Sequence, residues 1–196
     1  MMTFTEMAHD RVRSVLRRGD VAIDATVGNG HDTTFLADCV GPEGVVYGFD
    51  IQPDALERTA QRLDSMKLNN VRLLNRSHAE MQIALADVAP GRVRAVMLNL
   101  GYLPGGDKVI TTRVESTLAA IQAGLALLGA GGIMTVVAYV GHASGCDEAL
   151  AVEQLLRHLS PDEFDVCEEA APSDRTLPPR LFVVRRRETV HEVPDA

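Results

Sequence analysis

The residue types and spacing richest in chemistry lie in Asp24-Ala25-Thr26-Val27-Gly28-Asn29-Gly30-His31-Asp32-Thr33-Thr34. An apolar run at 21–23 leads in, and a helical pattern at Phe35, Leu36, Cys39 and Val40 leads out, which predicts strand, glycine turn and helix. Glycines there permit positive φ and bring backbone amides close to a ligand whose polar end sits at a helix N-terminus. Asp50 follows Gly30 by twenty positions, about where a carboxylate meets ribose hydroxyls in a dinucleotide fold. A nicotinamide dinucleotide nevertheless fits poorly. Thr33 replaces the third glycine of the fingerprint, and Asp32 puts negative charge where a pyrophosphate would lie. A cofactor with a ribose and no phosphate suits the turn better, and S-adenosylmethionine (SAM) is one. On that reading Asp50, with Ile51 and Gln52 beside it, takes the ribose. Asp24 supports the ammonium group directly or through the turn, and Thr26, Gly28, Asn29, Gly30, Asp32 and Thr33 complete the cofactor side.

A second group is the loop Asn99-Leu100-Gly101-Tyr102-Leu103-Pro104-Gly105-Gly106-Asp107-Lys108, entered from the apolar run 93–98. It is not a phosphate-binding Walker loop: Gly101 and Gly106 have the spacing, but Asp107 stands at the lysine position and Val109 follows Lys108. Smaller groups follow two other apolar runs, Ser77, His78 and Glu80 after 71–74 and Tyr139 and His142 after 133–138. Ser77 and His78 are candidates for adenine contact, although His78 and Glu80 read equally well as the start of a helix.

The elements that must position these groups alternate. Ala8, Val12, Val15 and Leu16 mark a first helix, capped by Thr3 with Glu6, with Arg11, Arg13, Arg17 and Arg18 on its solvated face. Strands are expected at 21–23, 45–50, 71–74, 93–98 and 133–139, with two less certain ones at 164–167 and 181–185. Pro53 suits the first turn of a helix lined by Leu56, Ala60 and Leu63. Thr112 and Glu115 read as a capping box before Val114, Leu118, Ile121, Leu125 and Leu128, a helix stopped by Gly129-Ala130-Gly131-Gly132. A last helix carries Val152, Leu155, Leu156 and Leu159. Strand–helix alternation implies right-handed crossovers and a largely parallel sheet, whose carboxyl edge collects the candidate residues.

Composition bounds the partners. The 196 residues are 46% hydrophobic, enough for one domain, expected at 1–188 with a loose tail at 189–196. With a net charge of −8, any nucleic acid has to be held by a local basic patch. Cys39, Cys146 and Cys167 are far apart and the six histidines are dispersed, so neither a metal site nor a radical or covalent-cysteine mechanism is expected. No run is long enough to span a bilayer, and a cytoplasmic setting is expected.

The turn at 24–37, the loop at 99–108, the segment Tyr139-Val140-Gly141-His142-Ala143-Ser144-Gly145 and Pro178-Pro179 together resemble the rRNA methylase family, over about residues 8–187. One branch of that family methylates 5-(aminomethyl)-2-thiouridine at the tRNA wobble position. The resemblance implies a Rossmann-like class I methyltransferase: an α/β fold with a mostly parallel, about seven-stranded sheet, helices on both faces, its last strand antiparallel, and SAM as cofactor. Asn99-Leu100-Gly101-Tyr102 looks like a variant of the Asn-Pro-Pro-Tyr loop of amino-group methyltransferases, without the double proline. It implies Asn99 and Tyr102 as positioning groups and His142 as a third catalytic candidate. Leu100, Gly101, Pro104, Gly105, Gly106, Asp107, Lys108, Tyr139 and Arg180 are expected on the substrate side.

An aliphatic amine titrates near about 10.4 and must lose a proton before attack. His142, His78, His9 or Asp107 could take it, or the neutral fraction could bind directly. For tRNA, the expected basic rim is Arg175, Arg180, Arg185, Arg186 and Arg187, with the N-terminal arginines second and a homodimer as a way to extend the surface. The competing readings are an rRNA or small-amine methyltransferase and a non-catalytic RNA-binding protein that keeps the fold.

Overall fold

Seven strands form one sheet in the order β3-β2-β1-β4-β5-β7-β6 in the computed structural model, which describes residues 2–103, 105, 110–141, 145–169 and 178–188. The strands are β1 (Val21–Asp24), β2 (Val45–Asp50), β3 (Val71–Asn75), β4 (Val93–Leu100), β5 (Leu128–Ala138), β6 (Phe164–Glu169) and β7 (Arg180–Arg186). The first five pair in parallel, and β7 runs antiparallel between β5 and β6. The order reverses between β1 and β4, so the crevice where such sheets bind ligands opens beyond Asp24 and Leu100.

Six α-helices are described: α1 (Phe4–Arg13), α2 (His31–Val40), α3 (Pro53–Met66), α4 (Met81–Ala84), α5 (Val114–Leu127) and α6 (Gly145–Arg157). Each face of the sheet has its own core. α1 and α2 bury Phe4, Ala8, Val12, Leu36 and Val40 against Ala95, Met97, Ile133, Val137 and Val183. On the other face Met81, Ile121, Leu125, Val152 and Leu156 pack on Ile23, Val96, Leu98, Met134 and Phe182. The alternation of Met97 and Leu98 between the two cores is the period of two expected of a strand covered on both sides.

Thr3 and Glu6 make the expected reciprocal cap on α1, which stops at Arg13 rather than continuing through Leu16. Two further local expectations are corrected. Thr112 does not cap α5. Arg113 is the N-cap, and the Thr112 hydroxyl is drawn away by the Gly101 amide at 2.9 Å and the Glu148 carboxylate at 2.8 Å. Leu128 belongs to β5, because the Gly129–Gly132 run is an irregularity inside that strand and not a helix stop. Packing requires glycine there: a Cβ on Gly129 would lie 2.2 Å from the Gly91 carbonyl. His78–Glu80 forms a short 3-10 turn leading into α4, in keeping with the helix start read there, and the Ser77 hydroxyl accepts from the Ala79 amide.

Candidate active site at the carboxyl edge of the sheet

The turn after β1 is held by buried carboxylates. Asp24 is fully buried; one oxygen accepts from the Thr26 amide at 3.0 Å and the other from the Thr33 hydroxyl at 2.5 Å. Burial, with the Asp32 charge second, raises its pKa to about 7. Both Asp24 oxygens are engaged within the turn itself. Asp50 ties the same turn to β2: its carboxylate accepts from the Gly28 amide at 2.8 Å and the Gln52 amide at 2.9 Å. Gly30 has φ +76, and a Cβ there would lie 2.6 Å from the Thr59 hydroxyl, so glycine is needed for both conformation and space. Ile51, 56% exposed, stands beside Asp50, and Gln52 is the N-cap of α3.

β4 brings Asn99 against this turn. Its backbone amide donates to the Thr26 hydroxyl at 2.7 Å, and its side-chain nitrogen donates to Asp32. The other Asp32 oxygen meets His9 Nε2 at 2.6 Å, and the His9 ring stacks on Phe35 at 3.8 Å. With the amide nitrogen committed to Asp32, Asn99 Oδ1 is left buried without a partner among the described residues. An unpaired buried acceptor is costly and marks a position where a ligand donor belongs.

Beyond Asn99 the chain turns sharply at Gly101, φ +141, a conformation proline cannot adopt, so the loop departs from a double-proline backbone. The Gly101 carbonyl accepts from the Thr112 amide, and Tyr102 bridges Thr111. The Thr112 hydroxyl passes to Glu148, which is 1% exposed and also accepts from Thr117 at 2.6 Å. Sequence reasoning missed Thr112, Thr117, Glu148 and the His9–Asp32 pairing. His9 was weighed only as a base, and no local pattern links it to Asp32.

The remaining expected residues are distributed as follows. Tyr102 and Tyr139 are 38% and 37% exposed at the same edge, with the Tyr139 hydroxyl 3.4 Å from Thr5 Oγ1. Asn29 lies in the turn, Leu100 is buried at the end of β4, and Gly105 is exposed. His78 Nδ1 donates to the Ala25 carbonyl at 3.2 Å, and burial lowers its pKa, which makes it a weak acceptor for an ammonium proton. Arg180 ends opposite Ala138 at the site edge but is committed to Glu153 and Glu168. Arg185, Arg186 and Arg187 fall at the opposite edge, because β7 runs antiparallel and carries them away from the site, contrary to the expected rim. Pro104, Gly106, Asp107, Lys108, His142 and Arg175 lie outside the described residues, as does 189–196.

A seven-stranded sheet with one antiparallel strand, a glycine turn at the switch point and a carboxylate after β2 define a class I methyltransferase fold. The residues fit SAM. Asp50 retains lone pairs for ribose hydroxyls, Ile51 offers apolar surface beside it, and the turn carries no bulk at Gly28 and Gly30. The family model described as "Putative rRNA methylase" matches residues 46–185, and the chain belongs to that family. The chain is 39% identical over 193 residues to the chloroplastic tRNA (mnm(5)s(2)U34)-methyltransferase of Arabidopsis thaliana, covering 94% of this chain and 69% of the relative. Among solved structures, a "putative rRNA-methylase from Clostridium thermocellum" superposes with a TM-score of 0.88 at 37% identity, over 95% of this chain and 98% of that one. SMU.1697c from Streptococcus mutans, in complex with SAH, superposes with a TM-score of 0.82 at 30% identity, over 95% and 99%. The protein is a SAM-dependent methyltransferase.

Proposed function

We propose that the protein methylates the exocyclic amine of 5-(aminomethyl)-2-thiouridine at the wobble position of tRNA, in the cytoplasm. The observation that carries this reading is Asn99 Oδ1, a buried acceptor without a partner among the described residues, on the strand that leads to an exposed tyrosine. The substrate named for the Arabidopsis relative supports it. SAM, when bound, supplies a sulfonium methyl, so transfer forms an N–C bond, breaks C–S and leaves S-adenosylhomocysteine. Asp50 and the glycine turn hold the cofactor, and Asn99 Oδ1 accepts one amine hydrogen and directs the nitrogen lone pair. Tyr102 offers a ring face on which the pyrimidine stacks. Asp32, steadied by His9, fixes which end of the Asn99 amide faces the amine. The described residues of this loop supply acceptors, and the neutral amine is taken as the reactive form, with His142 and Asp107, which lie outside the described residues, as the alternative bases.

The test is incubation with labelled SAM and tRNA from cells lacking the modification, followed by nucleoside mass analysis. Label is expected in 5-(methylaminomethyl)-2-thiouridine. Label in rRNA or in a small amine would replace the substrate, and RNA binding indifferent to cofactor without methyl transfer would replace the enzyme reading with a binding one.

A further inference from the structure

Arg17, Arg94, Arg185, Arg186 and Arg187 line a cleft of about 370 Å3 at the sheet edge opposite the site, together with Asp165 and Glu188. Five cations against two carboxylates leave a local excess of three positive charges in a chain of net charge −8. Four of the five arginines hydrogen-bond neutral acceptors. Arg17 donates to the Leu16 and Ser14 carbonyls, Arg94 to Ala130 O, Arg185 to Ser14 Oγ, and Arg186 to Leu128 O while lying over Phe164. Such partners fix a guanidinium without cancelling its charge; among the described residues, Arg187 is the one of the five that is ion-paired, with Asp165.

One helix spans from the site's surroundings to the cleft. α1 runs from Thr5 beside Tyr139 and His9 on Asp32 down to Ser14 on Arg185. A second hollow of about 280 Å3 shares Asp165 and Arg185 with the cleft and rises past Arg11 to Glu169. From Ile133 to Ala138 the two edges are separated by roughly 17 Å of strand, a span within one turn of an RNA duplex.

We propose that this cleft holds phosphates of the RNA helix whose target nucleotide enters the opposite edge, the RNA lying along α1 and β6. The proposal rests on RNA being the substrate and supplies the basic patch that a −8 chain needs; it joins Arg94 to the expected Arg17, Arg185, Arg186 and Arg187, at the sheet edge opposite the site.

The experiment measures affinity for total tRNA by fluorescence anisotropy over a salt series, with S-adenosylhomocysteine present. Wild type is compared with Arg94→Gln/Arg185→Gln, with Arg94→Lys/Arg185→Lys and, as a control of equal charge change, with Arg58→Gln/Arg62→Gln on α3. The glutamine pair is expected to bind roughly tenfold more weakly and to lose about two units of salt slope. The lysine pair is expected to keep most of the affinity, the control to match wild type, and the affinity for S-adenosylhomocysteine to hold throughout. Unchanged affinity in the glutamine pair, equal loss in the control, failure of the lysine pair to rescue, or no tRNA binding by wild type would each overturn the proposal. So would a dimer that dissociates in the glutamine pair at unchanged tRNA affinity, which would assign the cleft to a second copy of the chain. Cleft-dependent binding without methylation of the wobble uridine would sink the substrate reading and leave the cleft standing.

Discussion

Asn99 is held against the turn after β1 by two hydrogen bonds, from its backbone amide to Thr26 and from its side-chain nitrogen to Asp32, and its parts can be separated. Asn99→Ala removes the acceptor, and a fall in kcat of about a hundredfold is expected, the scale of one positioned polar group in a transition state. Asp32→Ala leaves the acceptor but frees the amide to turn over, so a smaller loss, roughly tenfold, is expected in kcat, with the affinity for S-adenosylhomocysteine changed little. Single-turnover kinetics and calorimetry measure the two quantities. If Asp32→Ala equals Asn99→Ala, Asp32 does more than orient the amide. On the proposed neutral-amine mechanism, kcat/KM for tRNA is expected to rise about tenfold per pH unit below the amine's pKa of about 10.4. A plateau setting in near pH 6–7 would instead reveal a protein base.

At the level of elements, the two ends of the loop after β4 are paired antiparallel and fastened to α6. Gly101 and Tyr102 pair with Thr112 and Thr111, and Glu148 clamps Thr112 and Thr117 together. Glu148→Gln leaves the carbonyl oxygen for Thr117 but turns an N–H towards Thr112, whose hydroxyl hydrogen then lacks an acceptor. A destabilisation of about 1–3 kcal/mol by denaturant titration is expected, together with a severalfold higher KM for tRNA from a looser loop. An unchanged KM would separate the clamp from substrate binding. Glu148 shows why part of the site was not legible in the sequence. A glycine turn, a carboxylate at a strand end and an Asn-x-Gly-Tyr loop are local signals, and each can be read from neighbours in the chain. The partners of Thr112, His9 and Glu148 are chosen by tertiary packing across tens of residues, and Thr112 beside Glu115 even imitated a cap. Likewise, the parallel strands were visible as apolar runs ending in polar residues. The edge reached by Arg185–Arg187 depended on the direction of β7, which no composition encodes.

Over the whole molecule, the two cores meet across the sheet at β1 and β4, and Asp24 is a carboxylate buried at the end of that seam. Its folded-state pKa, about 7, lies above the ordinary aspartate value of 3.8, with burial the leading cause. The folded chain therefore binds a proton that the unfolded chain releases throughout that window. By linkage, this residue's contribution to stability is greatest near pH 4, is lost progressively as pH rises towards 7, and stays lost above it. Most carboxylates act in the opposite sense, so the wild-type profile alone would hide the effect. Asp24→Asn isolates it, since the amide can still accept from the Thr26 amide and donate to the Thr33 hydroxyl without ever ionising. Urea titrations at intervals from pH 4.5 to 8 should show the variant gaining on wild type as pH rises, by at most about 1.4 kcal/mol per pH unit. A difference that stays flat across this range would mean that Asp24 is ionised in the folded protein at every pH tested, with the turn and not a proton compensating its charge.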